Sequence, residues 1–177
     1  MRIIAGRLGG QQFTSPHSHR THPMSDKVRG ALFNMLGDVA GLTILDPYGG
    51  TGALSFEALS RGAAHATLIE LDKSAQKVIQ KNIETLGLQD KVTFIPGNCM
   101  RWSSRYPTQQ FDLALVDPPY DAVLIRDIAR LGNHVKPDGL LVLSWPGHLK
   151  PESLSGFEAI KINTYGDAQL IFYRKSA

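Results

Sequence analysis

Apolar positions along the chain fall into two alternating rhythms. Short continuous apolar runs occur at Leu42-Thr43-Ile44-Leu45, Ala66-Thr67-Leu68-Ile69, Val92-Thr93-Phe94-Ile95, Phe111 to Val116 and Leu140-Leu141-Val142-Leu143. Runs of this length suit strands buried on both faces of a parallel sheet. Between them, apolar residues recur at helical spacing. Val28, Ala31, Leu32, Met35 and Leu36 follow the N-cap candidate Ser25, and Ala53 to Arg61 closes on Gly62. Ala75, Val78, Ile79, Ile83 and Leu86 follow Asp72 and end at Gly87, and residues 122–131 make a further helix. A short helical or irregular segment carries Met100, Trp102 and Tyr106, whose aromatics are expected to pack in the core or at its rim. Two last strands, Ala159 to Ile162 and Gln169 to Tyr173, are separated by a turn at Gly166-Asp167, a connection short enough to require antiparallel pairing. The pattern predicts an α/β fold, a mostly parallel, doubly wound seven-stranded sheet with an antiparallel C-terminal strand.

Ahead of this alternation, Arg2-Ile3-Ile4-Ala5 and Gln11-Gln12-Phe13-Thr14 flank Gly6, Gly9 and Gly10, a hairpin or extended arm. A Ser-, His- and Pro-containing loop then leads to the Ser25 helix. Residues 1–37 are therefore expected as an arm and helix packed on a core of residues 38–177, the whole making one compact unit. A chain of 177 residues with 42% hydrophobic and 20% charged composition is ordinary globular material. No apolar stretch approaches the length of a membrane span, and the opening residues do not resemble a signal peptide, so a cytoplasmic protein without membrane association is expected. The one cysteine, Cys99, excludes an internal disulfide and a multi-cysteine zinc site. His17, His19 and His22 lack the spacing of metal ligands, and no metal is expected. The net charge is only +3, but Arg2, Arg7, Arg20, Lys27 and Arg29 face a single acid, Asp26, within the first 36 residues. That imbalance suits a phosphate-facing surface.

Chemistry concentrates where strands end. The run from Phe111 stops at Asp117-Pro118-Pro119-Tyr120, because Pro118 has no N–H to continue a central strand. Ligands of open α/β sheets bind just past the carboxyl ends of the strands. There, the Asp117 carboxylate and the Pro118 carbonyl are two acceptors suited to a planar amino group. The two prolines restrict the backbone presenting them, and the Tyr120 ring can stack on a base.

A second loop, Asp46-Pro47-Tyr48-Gly49-Gly50-Thr51-Gly52, joins the first strand to the next helix. Its glycines allow close backbone approach, and Glu70 lies 20 residues beyond Gly50, the spacing of an acid that binds ribose hydroxyls. Ser55 stands where a dinucleotide fingerprint requires its third glycine, which disfavours NAD. Asp46 beside the loop suits a ligand carrying ammonium and sulfonium groups, and S-adenosylmethionine meets that description. Asn98 and Cys99, after the third strand, are placed to meet the adenine. The cofactor candidates are thus Asp46, Tyr48, Gly49, Gly50, Thr51, Gly52, Glu70, Asn98 and Cys99, and the catalytic candidates Asp117, Pro118, Pro119 and Tyr120.

These motifs resemble the RsmD family, bacterial methyltransferases that modify a guanine N2 in small-subunit ribosomal RNA. The likeness rests on Arg2-Ile3-Ile4-Ala5-Gly6, the Pro23 to Leu36 segment, the stretch Leu45 to Ala63 and Asp117-Pro118-Pro119-Tyr120. It implies a class I, Rossmann-like methyltransferase fold with S-adenosylmethionine across the first two strand ends and the target base over the Asp117 loop. It also implies ribosomal RNA, or a partly assembled small subunit, as partner, and a monomer is expected. Gly30, Asn98 and Ser144-Trp145-Pro146-Gly147 stand where the family pattern carries Glu, Asp and an acid. Amino-group methylation of DNA, another RNA or a protein amide, and a non-catalytic RNA-binding assembly role, are the alternatives.

Overall fold

The computed structural model describes residues 1–15, 24–121 and 124–177, in two compact units, Met1–Cys99 and Met100–Ala177. In the first unit the arm folds back on itself. Ile3 N–H donates to Gln11 O, Phe13 N–H to Met1 O, and Arg2 bridges Gln12 in antiparallel fashion. Helix α1 spans Asp26–Leu36, capped by the Ser25 hydroxyl, which accepts from Val28 N–H, and ended by Gly37 at φ +75°. Then follow β1 (Thr43–Asp46), α2 (Ala53–Ser60), β2 (His65–Glu70), α3 (Lys73–Thr85, capped by Asp72) and β3 (Val92–Pro96). The three strands are parallel in the order β3-β2-β1, with Ile44 opposite Ala66 and Ala66 opposite Val92.

Helix α2 is buried along its whole length, polar residues included. Burying those groups is tolerable only because each is paired. The Glu57 carboxylate accepts Ile4 N–H at 2.7 Å, Ala5 N–H at 3.1 Å and Arg61 Nε at 2.7 Å, with Arg29 Nε at 3.8 Å. The Ser60 hydroxyl accepts Leu8 N–H at 2.9 Å, and Ser60 O accepts Arg7 N–H. At the far end of the arm, Asn82 on α3 exchanges two hydrogen bonds with the Thr14 backbone. The N-terminal residues are therefore fastened to α2 and α3 by directed polar bonds. This network also corrects one expectation: the Arg29 side chain is 0% exposed and is held by Asp26, Arg2 O and Glu57, so it cannot meet a phosphate. Arg2, Arg7 and Lys27 are exposed or half-exposed, while Arg20 and the histidines 17, 19 and 22 lie outside the described residues.

The second unit continues from α4 (Cys99–Arg105) through β4 (Phe111–Val116), α5 (Ile125–Gly132), β5 (Val135–Pro146), β6 (Phe157–Tyr165) and β7 (Ala168–Lys175). Its strand order is β4-β5-β7-β6, with β5 parallel to β4 and β7 antiparallel to both β5 and β6. Seven strands, parallel pairings among β1 to β3 and between β4 and β5, and an antiparallel β7 make up the expected α/β class. Several boundaries differ from the pattern, among them β6, which extends beyond Ala159 to Ile162 at both ends. Helix α5 begins at Ile125, with residues 122–123 outside those described. Strand β5 begins five residues early, because Lys136-Pro137-Asp138-Gly139, which has turn composition, forms a bulge within the strand. There the register shifts from Phe111 opposite Val135 to Leu113 opposite Leu140, and Asp138 takes φ +60°. Strand β6 is bulged as well, between Ala159 and Lys161.

Trp102 and Trp145 are buried and Tyr106 packs at the rim, its ring centroid 6.3 Å from that of Trp102, as expected. Trp102 lies against the buried His134 ring, with centroids 4.6 Å apart. The two His134 nitrogens meet Gln109 O and the Ser103 hydroxyl, and burial pushes its pKa below the usual imidazole value. A depressed folded-state pKa means that the unfolded chain takes up the proton first. Stability should therefore be fully present above about pH 6.5 and fall as pH drops toward the folded value. Thermal melts between about pH 7.5 and 5, a span that brackets the ordinary imidazole pKa, check this. His134→Gln should flatten that part of the profile.

Candidate active site

The first unit assembles one group of predicted residues. Asp46 closes β1 and is 1% exposed, and the buried Ser55 hydroxyl donates to it at 2.7 Å. Ser55, the residue that breaks the dinucleotide fingerprint, thus holds Asp46 in place. In the turn that follows, Gly49 N–H donates to Ile69 O at 2.8 Å, and a Cβ on Gly49 would lie 2.5 Å from the Leu68 side chain. Gly52 combines φ +80° with a Cβ position 2.4 Å from the Phe56 ring, so no larger residue fits. Tyr48 is half-buried, and the buried Thr51 hydroxyl accepts from Ala53 N–H.

Glu70 closes β2. One carboxylate oxygen accepts Gly50 N–H at 2.6 Å and the other accepts Asp72 N–H at 2.6 Å. The 20-residue spacing read from the sequence is therefore a direct contact. Gly97 N–H donates to Glu70 O at 2.8 Å, which brings Asn98 and the buried Cys99 alongside the same strand end. Sequence reasoning missed Leu71, which is 64% exposed immediately after Glu70. An apolar side chain left in water next to the glycine turn offers a face for a flat ring; its position directly after the acid was the available signal. Carboxylate acceptors, an exposed leucine and a glycine turn whose N-cap residue Gly52 has no side chain together fit a nucleoside ligand.

The second unit assembles the other group. Asp117 lies just past β4, followed by the buried Pro118, then Pro119 and Tyr120. Tyr120 is 42% exposed, yet its hydroxyl lies 2.8 Å from the Ser144 hydroxyl on β5. The Ser144 hydroxyl also acts on the Asp117 carboxyl, favouring its ionised form. Loss of solvent pushes the Asp117 pKa up to about 6, and the Ser144 bond opposes part of that rise. The Tyr120 pKa is also raised, chiefly by burial and further by the Asp117 charge, against the lowering effect of the Ser144 bond. Tyr120 therefore stays protonated. A cavity of about 450 Å³ beside Tyr120 is lined by Asp121, Pro146, His148, Leu149 and Asp167. An acceptor on a restrained loop, an aromatic face and an adjoining cavity suit a planar ring that carries an amino group.

A family model described as "Conserved hypothetical protein 95" matches residues 1–174. The chain belongs to that family. Its named relatives are moderately similar in sequence. "Ribosomal RNA small subunit methyltransferase D" of Escherichia coli strain K12 is 36% identical over 132 residues, covering 74% of this chain and 66% of that protein. The alignment thus spans about two thirds of the relative's length. The protein of the same name from Haemophilus influenzae is 33% identical over 147 residues, covering 80% of this chain and 76% of that protein. A solved Escherichia coli chain provisionally described as the methyltransferase yhhF superposes with a TM-score of 0.88 at 28% identity, over 100% of this chain and 98% of that one. These likenesses bear out the RsmD resemblance and the class I methyltransferase fold. Among the described residues, no helix is long and apolar enough to cross a membrane.

Proposed function

We propose that this chain transfers a methyl group from S-adenosylmethionine to the exocyclic N2 of a guanine in small-subunit ribosomal RNA. The observation that carries the reading is the cluster at the end of β4, where a desolvated Asp117 carboxylate is joined through Ser144 to Tyr120. The relatives named as small-subunit ribosomal RNA methyltransferases support the substrate class.

When bound, S-adenosylmethionine supplies an electrophilic methyl group. Glu70 would hold the ribose hydroxyls, Asn98 and Leu71 the adenine, and the turn from Tyr48 to Gly52 the amino-acid end, with Asp46 supplying negative charge beneath it. The guanine amine is a poor nucleophile because its lone pair is delocalised into the ring. Asp117 and the Pro118 carbonyl accept its two N–H groups and favour the geometry that frees the lone pair. Asp117, with a pKa of about 6, is ionised at neutral pH and can also take the departing proton. The exposed Tyr120 ring stacks on the base once it has left its helix. Arg2, Arg7 and Lys27 face RNA phosphates, which position the RNA without reading its sequence.

The test mixes purified protein, labelled S-adenosylmethionine and small subunits lacking the modification, followed by nucleoside analysis of the RNA. The expected product is N2-methylguanosine; a labelled adenine, a labelled protein amide or no transfer overturns the reading. The cofactor assignment has a separate check. Glu70→Gln keeps an acceptor oxygen for the turn but removes the charge, and should weaken S-adenosylmethionine binding about 10- to 100-fold by calorimetry, the range for one hydrogen bond to a charged group. Unchanged affinity would remove Glu70 from the cofactor site.

A further inference from the structure

We propose that Ser144 is a positioning residue for the transfer, its one hydroxyl linking the Asp117 carboxylate to the Tyr120 hydroxyl and fixing the Asp117 loop against β5. The proposal rests on the function proposed above. It starts from register: Val116 of β4 pairs with Leu143 of β5, so the next step along both chains brings Asp117 across from Ser144. Ser144 is also paired through its backbone position with Leu170 of β7, and its side chain is buried. Its hydroxyl is therefore presented by a strand bordered on both sides. Asp117 and Tyr120 belong to the connection after β4, where no such ladder restrains them.

Proton counting fixes the direction of the two hydrogen bonds. An ionised carboxylate only accepts, so Ser144 gives its single proton to Asp117. Ser144 must then accept from Tyr120, whose O–H remains intact because burial disfavours the phenolate. The order is Tyr120 to Ser144 to Asp117. The Tyr120 hydroxyl is thereby committed inward, which leaves the ring face rather than the O–H for the substrate. One acceptor site of Asp117 is used as well, which leaves the other lone pairs of the carboxylate for the amine. Tyr120 is the titratable group facing Asp117 across Ser144; the titratable side chains on the cavity side of Tyr120 are Asp121, His148 and Asp167.

The experiment compares Ser144→Ala and Ser144→Thr with the unaltered protein by two readouts. Carbon NMR of the Asp117 carboxyl should show its titration moving to higher pH in Ser144→Ala and staying near its original place in Ser144→Thr, because only the first loses the bond that favours the ionised form. Methyl transfer to undermethylated small subunits should fall about 10- to 100-fold in kcat for Ser144→Ala, the scale of a misplaced catalytic group. The acid limb of its pH profile should move up, and its affinity for S-adenosylmethionine should be unchanged. Should Ser144→Ala fail to fold, Ser144→Thr against Ser144→Val poses the same question at nearly equal volume. If the hydroxyl-free variants titrate and turn over like the unaltered protein, Ser144 only fills space and the proposal is overturned. If the unaltered protein methylates no RNA, the proposed function fails, and the NMR titration still decides whether Ser144 governs Asp117.

Discussion

Asp117→Asn is expected to lower methyl transfer by roughly 100- to 10,000-fold, the range for removing a positioned acid–base or charge-stabilising group, while leaving S-adenosylmethionine binding intact. The same substitution should make the protein more stable at about pH 7. Asp117 has a folded-state pKa of about 6, above its unfolded value near 3.8, so the native state holds its proton longer than the unfolded chain does. Stability is then lost as pH rises from about 4 to about 6, and above that range the native state carries the cost of a desolvated charge. Asparagine removes the cost together with the function. A melt and an activity assay on one preparation check both signs. In the unaltered protein, transfer should also decline as pH falls through about 6, because the protonated acid donates where the amine needs an acceptor. Equal activity in Asp117→Asn would take the carboxylate out of the chemistry.

The largest expected effect on stability belongs to Glu57. Glu57→Ala should cost about 3–5 kcal/mol, the scale of breaking a buried ion pair and leaving two backbone N–H groups without an acceptor. The side chain is wholly buried among Arg29, Arg61 and the Ile4 and Ala5 amides, so truncation takes one charged neighbour from the buried Arg29 guanidinium, which keeps Asp26 and Arg2 O, and leaves two N–H groups unpaired. Against a typical total of roughly 5–15 kcal/mol, that is a large fraction. Glu57→Gln keeps an acceptor oxygen and should fall between the two. Urea titrations followed by tryptophan fluorescence measure the series, and a change below about 1 kcal/mol for Glu57→Ala would contradict the network.

How far the sequence reaches depends on whether a signal is local. Ser25, Asp72 and Gly37 act on backbone groups within a few residues, so the ends of α1 and the start of α3 were readable in advance. Pro118 stops β4 by lacking an N–H, which put Asp117 at the strand end. The 20-residue step from Gly50 to Glu70 was legible because a βα unit fixes its own length. Long-range chemistry was not. Arg29 looked like any surface arginine of a basic segment, since two of its partners, Arg2 O and the Glu57 carboxylate, lie outside α1 and nothing in the sequence announces that they meet there. Ser144 read as a departure from pattern until register placed it across from Asp117. Asp138-Gly139 carried the composition of a turn yet serves as a bulge, a choice made by neighbouring strands rather than by those residues.

The outer margin of β6 has its own consequence for handling the protein. Among the described residues this strand is laddered only to β7, and it exposes Ile160 and Ile162 by 44% and 47%. Such a border is a template on which another chain can add a strand. The irregularity between Ala159 and Lys161 interrupts that template, and Glu158 and Lys161 place opposite charges on either side of it. Solubility at high concentration therefore leans on one misfit residue and two charges, and regularising this border would trade a slightly better ladder for a tendency to form fibrous aggregates.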